Sequence, residues 1–211
     1  MVDVNPHLRI APVLAGVPSA QARVVGVLVH GRDQDEQVML DVVHRLALPD
    51  AGYVLPVAAG STWYPGRYFD PVATNQPEVD HALAAIEAAI AVPARAGVPD
   101  ERIVIAGFSQ GACLIAELAA RRPRGWAGVA VLTGTLLGPR GERAAPAPGI
   151  AGTAMFFGSS RYDEWIDPVD AEGTARAFAA AGARVTLKVD DDRTHHINNG
   201  AVAGLRRLLA P

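Results

Sequence analysis

The sequence predicts an α/β protein with a mostly parallel central sheet flanked by helices, and three observations support this. Strand-like and helix-like segments alternate along the chain, which is typical of βαβ units. Residues 107–111, with the sequence G-F-S-Q-G, join a strand-like run directly to a helix-like run. The chain has 211 residues, of which 50% are hydrophobic. We therefore expect one domain over residues 1–211 with a substantial core.

Short apolar runs bounded by turn residues predict the strands. In chain order, the predicted strands cover residues 24–29, 53–57, 103–106, 128–132, 154–157 and 185–189. Residues 1–23 precede them as an N-terminal extension or an edge strand.

Apolar residues at helical spacing predict the helices between these strands. In chain order, the predicted helices cover residues 35–46, 78–96, 112–120, 171–181 and 201–209. The fourth helix ends at Gly182, because glycine is typical of helix C-caps. The longest loops cover residues 60–77 and 134–152, and neither is large enough for a cap domain.

Composition excludes several classes of partner. The net charge of −3 gives no reason to expect nucleic acid or an anionic membrane. No apolar run reaches the roughly 18 residues that span a bilayer, and residues 1–6 lack the pattern of a secretory signal. The single Cys113 cannot form an internal disulfide, which suits the cytoplasm. We predict a cytoplasmic protein without integral membrane association, and the sequence is compatible with a homodimer.

Ser109 is the predicted nucleophile. It lies at the centre of the G-x-S-x-G pentapeptide, after the β-branched run 102–106 and before the helix-like run 112–120. A strand, a tight turn and a helix are the context of a nucleophile elbow, in which the serine hydroxyl stands clear of the sheet. The alternative is a glycine-rich turn with an incidental serine.

A serine hydroxyl needs a base and an acid that orients the base. Only His195 and His196 follow Ser109, and spacing alone does not separate them. Asp163 follows the strand 154–157 and is the favoured acid. Asp167 and Asp170 compete with it, but Asp167 precedes a proline, and Asp170 lies in the first turn of a helix, where acids are common for structural reasons.

The end of the first predicted strand suits an oxyanion-hole loop. His30 and Gly31 follow that strand, so the loop would supply one backbone N–H group and Gln110 the other. His30 itself is expected to be a packed, hydrogen-bonded residue. No metal or other cofactor is expected, because no cluster has convincing ligand spacing and the acidic run 190–192 is typical of a solvated turn.

Together these residues resemble the phospholipase/carboxylesterase family of small α/β-hydrolases, which includes the acyl-protein thioesterases. The resemblance spans about residues 24–210. The matching segments are V-H-G at 29–31, W-Y-P at 63–65, G-F-S-Q-G-A at 107–112, Asp163 with Ile166, G-A-R-V at 182–185, and His195 before Ile197. It implies Ser109 as nucleophile, Asp163 as acid and His195 as base. It also implies an oxyanion hole built from the N–H groups of Arg32 and Gln110.

Two loops depart from the family's pattern. Asp33 stands where the family usually has glycine, so the loop after Gly31 is expected to be shaped differently. The segment that follows the acid, residues 164–168, also differs from the usual sequence. Trp165 in this segment is expected either to line the pocket or to pack.

Aromatic residues cluster in the loop after the second predicted strand. Trp63, Tyr64, Tyr68 and Phe69 all lie there. Loop aromatics near an active site often form the wall of a substrate pocket, so Trp63, Tyr64, Phe69 and Trp165 are predicted to bind substrate. The alternative is a loop that its aromatic residues anchor to the body of the protein.

The sequence therefore predicts a serine hydrolase that cleaves small carboxylic esters or thioesters through an acyl-enzyme. Amide or lactone hydrolysis by the same residues is one alternative. A non-catalytic small-molecule binding protein that retains the fold is another.

Overall fold

A seven-stranded sheet forms the centre of the computed structural model, which describes residues 4–210. Its strands are β1 (Val13–Gly16), β2 (Val24–Val29), β3 (Ala51–Leu55), β4 (Ile103–Phe108), β5 (Gly128–Leu132), β6 (Ala154–Ser160) and β7 (Arg184–Asp190). The spatial order is β1-β3-β2-β4-β5-β6-β7. Only β1 pairs antiparallel, with β3, and the other neighbours are parallel. The predicted mostly parallel sheet is confirmed.

Within residues 4–210, five α-helices flank the sheet. They are α1 (Glu36–Leu46), α2 (Glu78–Arg95), α3 (Gln110–Arg121), α4 (Pro168–Ala180) and α5 (Asn199–Leu209). Buried residues of α2, α3 and α4 form the core on one face of the sheet, and those of α1 and α5 form the core on the other. Strand β2 shows why, since Val25, Val27 and Val29 face the first core while Val24 and Leu28 face the second. None of the helices within residues 4–210 has the length and apolarity needed to cross a bilayer.

The element boundaries differ from the predicted ones for local reasons. Strand β3 begins at Ala51, which pairs with Val24, and ends before Pro56, which has no N–H to donate to a ladder. Helix α4 begins three residues earlier than predicted, because Pro168 suits the first helical turn and the Asp167 carboxylate accepts from the Val169 N–H.

The region predicted as an extension or an edge strand contains β1, at the edge of the sheet. Of the residues 1–6 used to judge a signal sequence, 1–3 lie outside the described residues. The two longest connections, between β3 and α2 and between β5 and β6, form only short 3₁₀ turns among the described residues. The sheet is therefore left without a large cap, as predicted.

Candidate active site

The turn between β4 and α3 holds Ser109 in an unusual backbone conformation, with φ of 54° and ψ of −120°. Such a conformation costs about 1–3 kcal/mol for a residue other than glycine and persists only where the surroundings impose it. Here strand and helix approach very closely. A Cβ atom on Gly107 would lie 2.4 Å from the Gly111 carbonyl oxygen, and one on Gly111 would lie 2.4 Å from the carbonyl oxygens of Val29 and His30. The two glycines of the pentapeptide permit this packing.

The loop between β7 and α5 brings His195 to this turn. Its Nε2 atom lies 2.7 Å from Ser109 Oγ, and its Nδ1 atom lies 2.8 and 3.0 Å from the two carboxylate oxygens of Asp163. A carboxylate only accepts hydrogen bonds, so Nδ1 carries the proton and Nε2 is left to accept from the serine hydroxyl. The imidazole ring also packs against Phe108, with 4.8 Å between centroids. The three side chains named from the sequence thus meet in one chain of hydrogen bonds.

Asp163 is held from the opposite side by backbone groups. Its Oδ1 atom accepts from the N–H groups of Trp165 (2.9 Å) and Ile166 (2.8 Å), and its side chain has no exposed surface. Burial alone would raise the pKa of this carboxyl group. The hydrogen bonds from His195 and from the two amides outweigh burial, so the pKa of Asp163 lies below its ordinary value of 3.8. The group is therefore ionised and fixed opposite the imidazole.

The competing acids lie elsewhere. Asp167 caps α4, and Asp170 is buried in ion pairs with Arg140 (2.6 Å) and Arg143 (2.9 Å). The Tyr68 hydroxyl also donates to Asp170, at 3.1 Å. These contacts give both carboxylates structural partners away from His195.

The loop after β2 lies against the turn at Ser109. A Cβ atom on Gly31 would lie 3.1 Å from Ser109 Cβ. The N–H of Gly31 donates to Gln34 Oε1 at 2.9 Å, and the N–H of Asp33 donates to the Ser61 carbonyl oxygen at 2.8 Å. Arg32 is the residue between these two fixed amides.

Asp33 has a φ of 56°, a left-handed value that aspartate tolerates better than most residues. Asp33 can therefore adopt the left-handed conformation at a position where the family usually has glycine.

The Gln110 side chain, which the sequence reading did not consider, ties the turn to the aromatic loop. Its Oε1 atom accepts from the Trp63 N–H (2.9 Å) and its Nε2 atom donates to the Tyr64 carbonyl oxygen (2.7 Å). The signal in the sequence was the G-F-S-Q-G segment itself, where Gln110 is the side chain next to Ser109. Gln110 is buried, so both hydrogen bonds are shielded from water.

Trp63 lies in the core and does not line the cavity beside Ser109. It is 0% exposed, and its Nε1–H donates to the His30 carbonyl oxygen at 2.9 Å. The rings of His7 and His30 flank it at 5.2 and 5.0 Å between centroids. The prediction of a substrate-contacting Trp63 does not fit this placement, because a fully buried indole anchors the loop instead.

A cavity of about 360 Å³ opens beside Ser109 and is called the Ser109 cavity below. Its lining residues are Arg32, Asp33, Tyr64, Gly66, Arg67, Tyr68, Ser109, Gln110, Cys113, Trp165, Ile166 and His195. Tyr64 and Trp165 thus line the cavity as predicted residues, whereas Phe69 lies outside the lining and packs edge-on against Tyr68. Arg67 is a lining residue that the sequence did not single out, whereas Tyr68 and Cys113 were named from the sequence without a substrate-binding role. A larger cavity, of about 610 Å³, lies along α4 and contains neither Ser109 nor His195.

Within residues 4–210, no three His, Cys, Asp or Glu side chains are grouped as a metal ion would require. His196, the other histidine of the loop, is exposed, and its Nδ1 atom contacts the Thr194 carbonyl oxygen at 2.9 Å. The cap of α5 is Asn198, whose side chain accepts from the Ala201 N–H.

The parallel sheet, the flanking helices and the serine at the strand-to-helix turn define a protein of the α/β-hydrolase fold. A model of the phospholipase/carboxylesterase family matches residues 15–210, so the chain belongs to that family. The family supports an esterase-type hydrolase. No match was found among the curated proteins.

Solved structures agree with this assignment. A phospholipase/carboxylesterase from Dyadobacter fermentans has 27% identity and a TM-score of 0.88, with 95% of this chain and 96% of that chain covered. A carboxylesterase from Mesorhizobium loti has 21% identity and a TM-score of 0.73, covering 100% of this chain and 97% of the other. The esterase PE8 has 19% identity and a TM-score of 0.78, with 94% and 97% covered. At these lower identities, the last two show the shared fold alone.

Proposed function

We propose that the protein is a serine hydrolase that cleaves carboxylic esters or thioesters through an acyl-enzyme. The observation that supports this most is the chain of hydrogen bonds from Ser109 Oγ through His195 to Asp163, with a Ser109–His195 distance of 2.7 Å. A nucleophile and a base within hydrogen-bond distance, with the base oriented by a third group, are what acyl transfer requires.

The chemistry follows from that geometry. Ser109 Oγ attacks the substrate carbonyl carbon while His195 Nε2 takes its proton, and Asp163 stabilises the resulting imidazolium. The tetrahedral intermediate collapses as His195 returns the proton to the leaving alcohol or thiol. Water then gives up a proton to His195 and attacks the acyl-enzyme, and as this second tetrahedral intermediate collapses His195 returns the proton to Ser109 Oγ, which releases the acid and free Ser109.

Two backbone amides are the proposed donors to the oxyanion. Gln110 is the first residue of α3, so its N–H has no acceptor within the helix and lies at the positive end of the helix dipole. The Arg32 N–H belongs to the loop that Gly31 packs against Ser109. Fixed donors of this kind stabilise the charge that develops on the carbonyl oxygen.

Small or flexible substrates suit the Ser109 cavity, because it is about 360 Å³ in volume and no large cap covers it.

The cytoplasm is the proposed location, since Cys113 is buried and the protein has no second cysteine to oxidise with it. A homodimer stays a prediction, which size-exclusion chromatography with light scattering would test.

Labelling with a fluorophosphonate tests the nucleophile. Ser109→Ala should abolish labelling and lower kcat for 4-nitrophenyl esters by about 10⁴ or more, because the attacking oxygen is gone. Ser19→Ala, in a turn before β2, is the matched control and should label normally.

Labelling that persists in Ser109→Ala would contradict the proposal. A wild-type protein that neither labels nor hydrolyses esters would favour a binding role. Faster turnover of matched amides than of esters would assign the same residues to amide hydrolysis.

A further inference from the structure

Two arginine side chains line the Ser109 cavity without a part in the proposed acyl transfer. Arg32 and Arg67 both contribute to the wall, and Asp33 is the carboxylate among the lining residues. The side chain of Asp163 has no exposed surface and is committed to its hydrogen bonds with His195 and two backbone amides. A bound substrate therefore meets a wall with more positive than negative charge.

The guanidinium group of Arg32 is fixed by neutral acceptors. It donates to the carbonyl oxygens of Tyr64 and Pro65, at 2.9 Å each, and to that of Gly66. Its carbon lies 5.9 Å from the centroid of the Tyr64 ring. Within residues 4–210, no carboxylate forms an ion pair with it. The side chain is held in place while its positive charge stays uncompensated.

Arg67 lies over the exposed indole of Trp165, with 5.2 Å from the guanidinium carbon to the ring centroid. Its backbone N–H donates to Asp70 Oδ2 at 2.7 Å, which fixes the start of its turn. Its side chain makes neither an ion pair nor a hydrogen bond with the described part of the chain. A guanidinium group that stacks on an aromatic ring keeps its N–H donors free to bind a carboxylate in the plane of the group.

We propose that Arg67, together with the fixed charge of Arg32, recognises a carboxylate on the substrate, so that the enzyme prefers esters carrying an anionic group near the scissile bond. This inference rests on the proposed function and adds a substrate class to it. The free donors of Arg67 bind the anion, and Arg32 contributes attraction at longer range. Because Arg67 is exposed, solvent and salt weaken the effect, and a preference of several-fold is expected.

Matched ester pairs test this preference on both sides of the scissile bond. On the acyl side, the pair is 4-nitrophenyl hydrogen adipate and the uncharged adipamate ester. On the leaving-group side, the pair is 4-acetoxybenzoate and 4-acetoxybenzamide. The measured quantity is the ratio of kcat/KM for the anionic ester to that for the neutral ester, in which any general loss of activity cancels.

Arg67→Gln should lower this ratio about five-fold for one of the pairs, and Arg67→Lys should retain only part of it, because the charge stays while the planar donors and the stacking on Trp165 are lost. The responding pair identifies the side on which the anion binds. The control is Arg176→Gln, which removes the same charge from an exposed position on α4 outside the lining, and it should leave the ratio unchanged. Added NaCl should lower the ratio in the wild type and change it little in Arg67→Gln.

Equal ratios in the wild type and Arg67→Gln for both pairs would overturn this inference while the hydrolase assignment stands. An equal fall in Arg176→Gln would also overturn it, since the effect would then reflect net charge alone. Failure of the wild type to hydrolyse any of the four esters would overturn the proposed function, and this inference with it.

Discussion

The buried lining residues Tyr64 and Gln110 form the inner wall of the Ser109 cavity, and the exposed lining residues Arg67 and Trp165 form its outer wall. The two walls are held in place differently, as Trp63 and Trp165 show. Trp63, behind the inner wall, is 0% exposed and hydrogen-bonded through its indole N–H, whereas Trp165, on the outer wall, is 53% exposed. The inner wall is fixed by buried hydrogen bonds between Gln110 and the aromatic loop. The outer wall is made by side chains that contact one another at the surface, such as Arg67 and Trp165.

This difference separates two tasks. Groups that transfer protons or stabilise the oxyanion must be held within a few tenths of an ångström, and the core provides that constraint for Ser109, His195 and Gln110. Groups that select a substrate tolerate more variation in their position, and the exposed side chains of the outer wall allow that variation. We therefore expect substitutions in or behind the inner wall to lower kcat or the free energy of unfolding. Substitutions in the outer wall should instead alter the relative kcat/KM among substrates.

The largest effect is expected at the base. His195→Gln should lower kcat for a 4-nitrophenyl ester by about 10⁴ or more, because glutamine cannot take the serine proton. His196→Gln is the control, and its kcat should stay near that of the wild type, since His196 is exposed and its ring nitrogen hydrogen-bonds with Thr194 instead of Ser109. Steady-state kinetics of the two purified variants makes the comparison, and the reverse pattern would assign the base to His196.

The next effect separates the two tryptophans by stability. Trp63→Ala should lower the free energy of unfolding by about 3–5 kcal/mol, because it empties a fully buried site. Trp165→Ala should change it by less than about 1 kcal/mol while altering relative kcat/KM across acyl chain lengths a few-fold. Urea unfolding and a panel of esters measure both quantities. Equal decreases in the free energy of unfolding for Trp63→Ala and Trp165→Ala would contradict the difference between the two walls.

The smallest expected effect is on the free energy of unfolding at acidic pH. His7 Nδ1 accepts from the Ala59 N–H (3.0 Å) and His30 Nε2 accepts from the Ala58 N–H (3.1 Å), so both rings must be neutral. Burial is the main cause that lowers the pKa of each below 6.5, against hydrogen bonds to backbone carbonyls that raise it. A lowered histidine pKa contributes stability that is fully present above about pH 6.5. That stability is lost as the pH falls through the folded-state pKa.

The free energy of unfolding should therefore fall between pH 7.5 and pH 5.5, and His7→Gln should reduce this fall, because glutamine takes up no proton in this range. His44→Gln, at an exposed position on α1, serves as the control. Urea unfolding at the two pH values measures the difference. An unchanged fall in His7→Gln would show that His7 does not contribute to the acid sensitivity.

The sequence predicted the fold well because its signals are local. Apolar runs such as 24–29 and 103–106 mark strands buried on both faces, and the spacing of Leu83, Ile86 and Ile90 marks α2. Ser109, Asp163 and His195 were also named from the sequence, although spacing alone did not separate His195 from His196 and the family resemblance made that choice. Their order along the chain and their position after strands are local properties, while their meeting at one point follows from the parallel sheet.

The role of Trp63 could not be predicted in the same way. Its burial depends on His7, 56 positions earlier, and on His30, 33 positions earlier. No pattern in the segment 60–77 indicates those contacts. An aromatic residue in this loop is therefore equally compatible with lining the cavity and with anchoring the loop in the core. Arg67 was missed for a related reason, because its meaning depends on Trp165 lying beneath it.

The support of Asp163 has a practical consequence for enzyme engineering. The carboxylate accepts hydrogen bonds from the main-chain N–H groups at positions 165 and 166, and the indole of Trp165 takes no part in these hydrogen bonds. Any amino acid except proline supplies the same N–H at position 165. A gene library randomised at this codon should therefore yield mostly active clones that differ in the substrates they accept, which makes position 165 a suitable starting point for directed evolution.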